Sequence, residues 1–142
     1  MKTMLSILGL ALLCLLNAPA QVLTVQLTTE QDQFLPGESL PVTVRVFNNS
    51  GQTLHLGADS NWLTFTVEAE NNDFVVMKKS DPPVVDAFVL GSSEVATKVV
   101  DLAPFFLMNK AGRYRIVATV HIREWNVDVP SAPKEVDVID GA

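Results

Sequence analysis

The chain has 142 residues and one cysteine, with 10 basic side chains set against 16 acidic ones, a net charge of −6. That length holds one domain with a real core and not two comfortable ones. The acidic balance gains no counterion-release term with nucleic acid, and a single cysteine builds no disulfide framework, so neither class is expected.

The first residues, "MKTMLSILGLALLCLLNAPAQ", place Lys2 before an apolar run from Leu5 to Leu16, then Ala18-Pro19-Ala20 as a small-x-small site. This is the pattern of a secretory signal peptide over residues 1–20, with cleavage after Ala20. The apolar run falls short of the roughly 20 residues that a membrane-crossing helix needs. Cys14 follows Leu13, where a bacterial lipobox wants a small residue, so the cysteine is discarded with the leader. The mature domain, 21–142, then has no cysteine and keeps nine basic residues against sixteen acidic ones. It is expected outside the cytoplasm, secreted or periplasmic, with no membrane span.

Alternation with period two then dominates. "VLTVQLTT" turns Leu23, Val25 and Leu27 to one face. "LPVTVRVFN" turns Leu40, Val42, Val44 and Val46 inward and Thr43, Arg45 and Phe47 outward. "WLTFTVEAE" sends Leu63, Phe65, Val67 and Ala69 inward and Thr64, Thr66, Glu68 and Glu70 outward. Half-buried antiparallel strands read this way. Further strands are expected at 74–79, 95–101, 113–123 and 134–139. "LPGE" at 35–38 sets Pro and Gly for a type II turn, and "NNSGQ" at 48–52 and "ENND" at 70–73 are Asn-rich reversals. The two prolines of "SDPPVVDAFVLGSS" at 80–93 exclude a central strand there, and "LAPFFLMNK" at 102–110 suits a short helical turn. About seven short strands with no helical period predict an all-β fold, an antiparallel β-sandwich.

The run "NKAGRY" sets Asn109, Gly112 and Tyr114 just before an alternating strand, and resembles the tyrosine corner of immunoglobulin-like sandwiches. In that class the tyrosine hydroxyl bonds back to main chain a few residues upstream, which implies a structural role for these three residues. With Ile116 two positions on, where antibody domains carry cysteine, the resemblance is to cysteine-free immunoglobulin-like domains. The order of a Pro-Gly turn, a strand ending in Asn, a Ser-Gly turn, an apolar strand and a late Gly-x-Tyr is also similar to two bacterial groups. One is the intracellular proteinase-inhibitor type of immunoglobulin-like domain, and the other is small secreted β-sandwich proteins of unassigned function. The shared residues are scaffold, and fold alone carries no site across.

The strand after the corner turns Tyr114, Ile116, Ala118, Val120 and Ile122 to the core. Its outward face carries Arg113, Arg115, His121 and Arg123, with Trp125 next in phase. Two readings apply: an acidic-ligand or partner face anchored by Trp125, or arginines paired across the sheet with Glu68, Glu70, Glu135 or Asp137. Trp62, placed in the outward phase, joins Trp125 in a carbohydrate-stacking reading whose alternative is a lid on the core. His55 and His121 are remote in sequence, and "ADSN" at 58–61 and "NND" at 71–73 lack the ligand count of a calcium loop, so no metal or other cofactor is implied. No nucleophile elbow, phosphate loop or HExxH helix occurs. The expected function is a non-catalytic exported binding module with a protein or polysaccharide partner. Alternatives are a secreted protease inhibitor, using a protruding loop at 80–93 or 126–133, and a carbohydrate-binding module.

Overall fold

The structure, a computed structural model, describes residues 22–70 and 74–141. The expected leader lies outside the described residues, as does "NND" at 71–73. Ten strands form an immunoglobulin-like β-sandwich whose pairings are antiparallel except for one two-residue parallel pair. In chain order they are β1 (Leu23–Thr28), β2 (Gln33–Phe34), β3 (Pro41–Asn48), β4 (Leu54–Leu56), β5 (Leu63–Ala69), β6 (Phe88–Leu90), β7 (Val95–Asp101), β8 (Gly112–Ile122), β9 (Val127–Pro130) and β10 (Lys134–Val138). One sheet runs β1-β3-β7; the larger runs β2-β10-β8-β5, with β9 also on β8; β4 and β6 form a separate ribbon.

The inward residues expected from alternation in β1, β3, β5 and β8 are buried and meet between the sheets. In β7, Lys98 takes an inward phase at the rim of the core. It resolves the conflict by passing its ammonium over the Phe88 ring, 4.6 Å from the centroid, toward Asp86 at 3.4 Å.

Turn chemistry sets the corners. Glu38 N–H donates to the Leu35 carbonyl at 3.0 Å, and Gly37 takes a φ of +77°, as a type II turn requires. Asn48 is fully buried, and its amide donates to the carbonyls of Gln52 (2.7 Å), Leu90 (3.0 Å) and Gly91 (3.1 Å). It therefore locks the 48–52 reversal to the ribbon, with its side-chain amide sealed inside. Asp101, at the end of β7, accepts from Leu40 N–H and the Ser39 hydroxyl, both at 2.8 Å, and from Ala103 N–H at 3.1 Å. Burial pulls its pKa upward, but these three bonds outweigh that and hold the carboxyl below its ordinary value.

Two expectations are corrected. Residues 74–79 form no strand. They make an extended strap tied to 105–107 by Lys79 N–H to the Phe105 carbonyl (2.8 Å) and Leu107 N–H to the Met77 carbonyl (2.9 Å). Apolar residues on both sides of this segment leave it no clean alternation, and Val75 is 94% exposed. Second, the strand count rises from seven because β2, β4, β6 and β9, each two to four residues long, exist through long-range pairing. β6 follows the two prolines and pairs only with β4, so no central strand forms there. The short turn expected within 102–110 is present at 102–106, with Phe105 and Phe106 N–H both donating to the Leu102 carbonyl.

Candidate interaction surfaces

Strand β8 carries most of the expected site residues, and its two ends differ. At the first end, Gly112 takes a φ of +148°, a backbone region that residues with a Cβ rarely adopt. Tyr114 is fully buried, and its hydroxyl donates to the Lys110 carbonyl at 2.7 Å, four residues upstream. Phe74 meets its ring edge-on at 5.6 Å. Burial pushes the phenol pKa up, so it remains a neutral donor. The tyrosine corner is therefore present. Asn109 differs from expectation: it is exposed, and the corner carbonyl belongs to Lys110.

Along the outward face, neighbouring strands decide the charge. Arg113 donates to Asp137 at 2.9 Å and lies 3.5 Å from Glu70 and 3.6 Å from Glu135. The Asp137 bond first, then the surrounding carboxylates, raise its pKa. Arg115 stands in register between Glu68 on β5 and Glu135 on β10. It has no carboxylate within ion-pair distance among the described residues. The stripe that reads as basic along one strand is thus a mosaic of alternating sign across three. As an open patch left unfilled by Glu68 and Glu70 it fails at Arg113, where Glu70 is one of the partners.

At the far end, the β8–β9 hairpin turns through Arg123–Asn126, with Asn126 at a φ of +49°. His121 Nδ1 lies 2.6 Å from Asp128 directly across the hairpin. Arg123 reaches Asp59 at 3.6 Å. Glu124 reaches His55 on β4, accepting from its backbone N–H at 3.0 Å and standing 3.3 Å from its Nδ1. Two histidines that the sequence separates thus border one recess of about 30 Å³, together with Asp59 and Arg123. Among the described residues no group of three His, Cys, Asp or Glu side chains is placed to hold a metal ion. Sequence reasoning weighed His55 and the 58–61 segment only as metal ligands and did not single out Glu124, since nothing local signals that β4 and the segment after it meet the hairpin turn.

Neither tryptophan forms a sugar platform. Trp62 is 3% exposed, against its expected outward phase. Asp59 caps a 3₁₀ turn at Ser60–Trp62 by accepting from Asn61 N–H at 3.0 Å, and the strand starts only at Leu63. The turn carries the indole inward, where Nε1 donates to the Val84 carbonyl at 2.7 Å and the ring meets Phe88 edge-on. Trp125 is half-buried and packs against the core. The two segments offered as inhibitor loops are also held down. Asp86 N–H donates to the Gly57 carbonyl at 3.0 Å, and Gly57 lies so close to Asp86 that a Cβ would collide with its carbonyl. Ser131 is buried, and its Oγ accepts from Ala118 N–H at 3.0 Å.

No protein-family model matches the sequence, and comparison with curated proteins finds none that matches it. Solved structures are similar in fold. The sporulation control protein Spo0M from Bacillus subtilis is 14% identical with a TM-score of 0.51, over 86% of this chain and 50% of that one. A family 123 glycoside hydrolase from Clostridium perfringens is 10% identical with a TM-score of 0.51, over 85% of this chain and 28% of the enzyme. The CARDB domain of the Pyrococcus furiosus PF1109 protein, solved with di-metal ions, is 20% identical with a TM-score of 0.47, over 82% and 87%. At such identities the likeness is of fold alone.

Proposed function

We propose that the chain is an exported, non-catalytic interaction module, directed to the periplasm or the exterior by residues 1–20, whose protein partner meets the β8–β9 hairpin end. One observation carries this reading. The hairpin gathers its own His121, Arg123, Glu124 and Trp125 with His55 and Asp59 from two other segments into one polar, solvent-facing end. A recess of about 30 Å³ accepts no sugar ring or cofactor, whereas small-ligand sites occupy roughly 300–1,000 Å³. Recognition there proceeds by surface contact. Exposed ion pairs contribute only about 0–1 kcal/mol each to the fold, so they exchange partners at little cost, and the half-buried Trp125 supplies an aromatic anchor beside them.

The test is capture from an envelope fraction with the wild-type chain and an Arg123→Glu, Trp125→Ala variant of unchanged stability. At least a tenfold loss of the captured protein is expected. Undiminished capture by the variant contradicts the reading.

A further inference from the structure

β5 is the outermost strand of the larger sheet, with β8 on one edge and, among the described residues, no strand on the other. The direction of its backbone groups follows from Ala118. That residue donates its N–H to Ser131 Oγ at 3.0 Å and accepts from Ser131 N–H at 2.7 Å, both on the side of β8 away from β5. Residues directly opposite in an antiparallel pair either exchange both bonds or turn both groups away. Ala118 opposes Phe65, so Phe65 turns its N–H and C=O to the open edge, and the two-residue alternation makes Val67 do the same. Among the described residues neither has a backbone partner there. Phe65 is 3% and Val67 7% exposed, so these backbone groups lie at the floor of a recess rather than on a bare edge.

A cleft of about 380 Å³ runs along this edge. Phe65 and Val67 line it from the inward face of β5 and Glu68 from the outward face, so it lies beside the strand rather than over either face. Its other wall is the strap, with Phe74, Val76 and Phe106 giving an apolar lining. The strap is tied to 105–107 by its two backbone bonds, and among the described residues it makes no backbone bond to β5. Unpaired strand backbone beside an apolar cleft is the geometry into which an extended peptide adds as a further strand.

Charge selects the occupant. Outward positions of an added strand fall beside Thr66 and Glu68, where cross-strand pairing favours Lys or Arg. Lys78, the cation on the cleft wall, is already paired with Asp81. The net charge of −6 draws basic segments and repels acidic ones. We infer that the free edge of β5 binds an extended peptide of a partner protein, apolar at alternate positions and basic between them, as an added strand of the larger sheet. The site lies across β8 from the β8–β9 hairpin and stands without the hairpin reading.

The experiment titrates the isotope-labelled full chain, by amide NMR, with the peptide Ac-KVTVKVT-NH2. Controls are its acidic counterpart Ac-EVTVEVT-NH2 and an analogue N-methylated at alternate residues. Saturable shifts confined to 64–69 and 74–78 are expected, with both controls at least tenfold weaker. Val67→Pro removes an edge-facing N–H while sparing the β5–β8 bonds, and should weaken the basic peptide at least tenfold. If that variant does not fold, the N-methyl comparison on the wild-type chain decides alone. No shift at millimolar peptide, equal binding of either control, or shifts centred on the outward face of β8 or the hairpin would overturn the inference. So would a sedimentation-detected dimer whose β5 edge is filled by a second copy.

Discussion

The two ends of β8 carry similar side chains under opposite conditions. At the Gly112 end, the Tyr114 hydroxyl is spent on the Lys110 carbonyl within the core, while the neighbouring Arg113 pairs with three carboxylates at the surface. At the Ile122 end, His121, Arg123 and Glu124 each pair with one group, at the surface, and two of those groups come from remote segments. A polar group sealed in the core is committed to the fold, because losing its partner leaves the other group unpaired and desolvated. A solvated pair is committed to nothing.

Substitutions at the two ends should therefore separate by size. Tyr114→Ala removes the corner bond and opens a cavity, and should cost about 3–5 kcal/mol by analogy with other aromatic truncations, read from denaturant unfolding. Tyr114→Phe keeps the ring and strands the Lys110 carbonyl, and about 1–2 kcal/mol is expected. At the far end, Arg123→Ala should change stability by no more than about 0.5 kcal/mol while weakening partner capture. If Tyr114→Phe proved as mild as Arg123→Ala, the contrast between the ends would be lost.

Asp101 tests the same principle through pH. Its folded pKa is depressed, so its contribution to stability is complete above the unfolded value of about 3.9 and is lost as pH falls through the folded value. Asp101→Asn should be less stable than wild type at neutral pH, and the gap should narrow through the acid limb. A gap independent of pH between 2 and 7 would show that the three bonds do not favour the charged form.

Much of this architecture was legible in the sequence because strand alternation is local. The inward phases of β1, β3, β5 and β8 follow from period two, and the corner follows from Gly112 and Tyr114 preceding that pattern. What escaped was non-local. Trp62 was mis-phased because the 3₁₀ turn capped by Asp59 takes it out of the strand, so the alternation that holds from Leu63 onward does not set its direction. For Arg113 the sequence left two readings open, a free basic face or pairing across the sheet, and only the strand order decides for pairing with carboxylates from the β5 side and from β10. The hairpin cluster depends on β4, which is too short to announce itself. The open edge of β5 is a property of topology, invisible until the order of strands is known.

The most direct test of the account installs a photo-cross-linking residue at 123 or, separately, at 109, and irradiates cells exporting each variant. A discrete adduct from position 123 and none from position 109 is the predicted result. An adduct from 109 alone, or equal adducts from both, would contradict the assignment of the hairpin end to the partner and the corner to the fold.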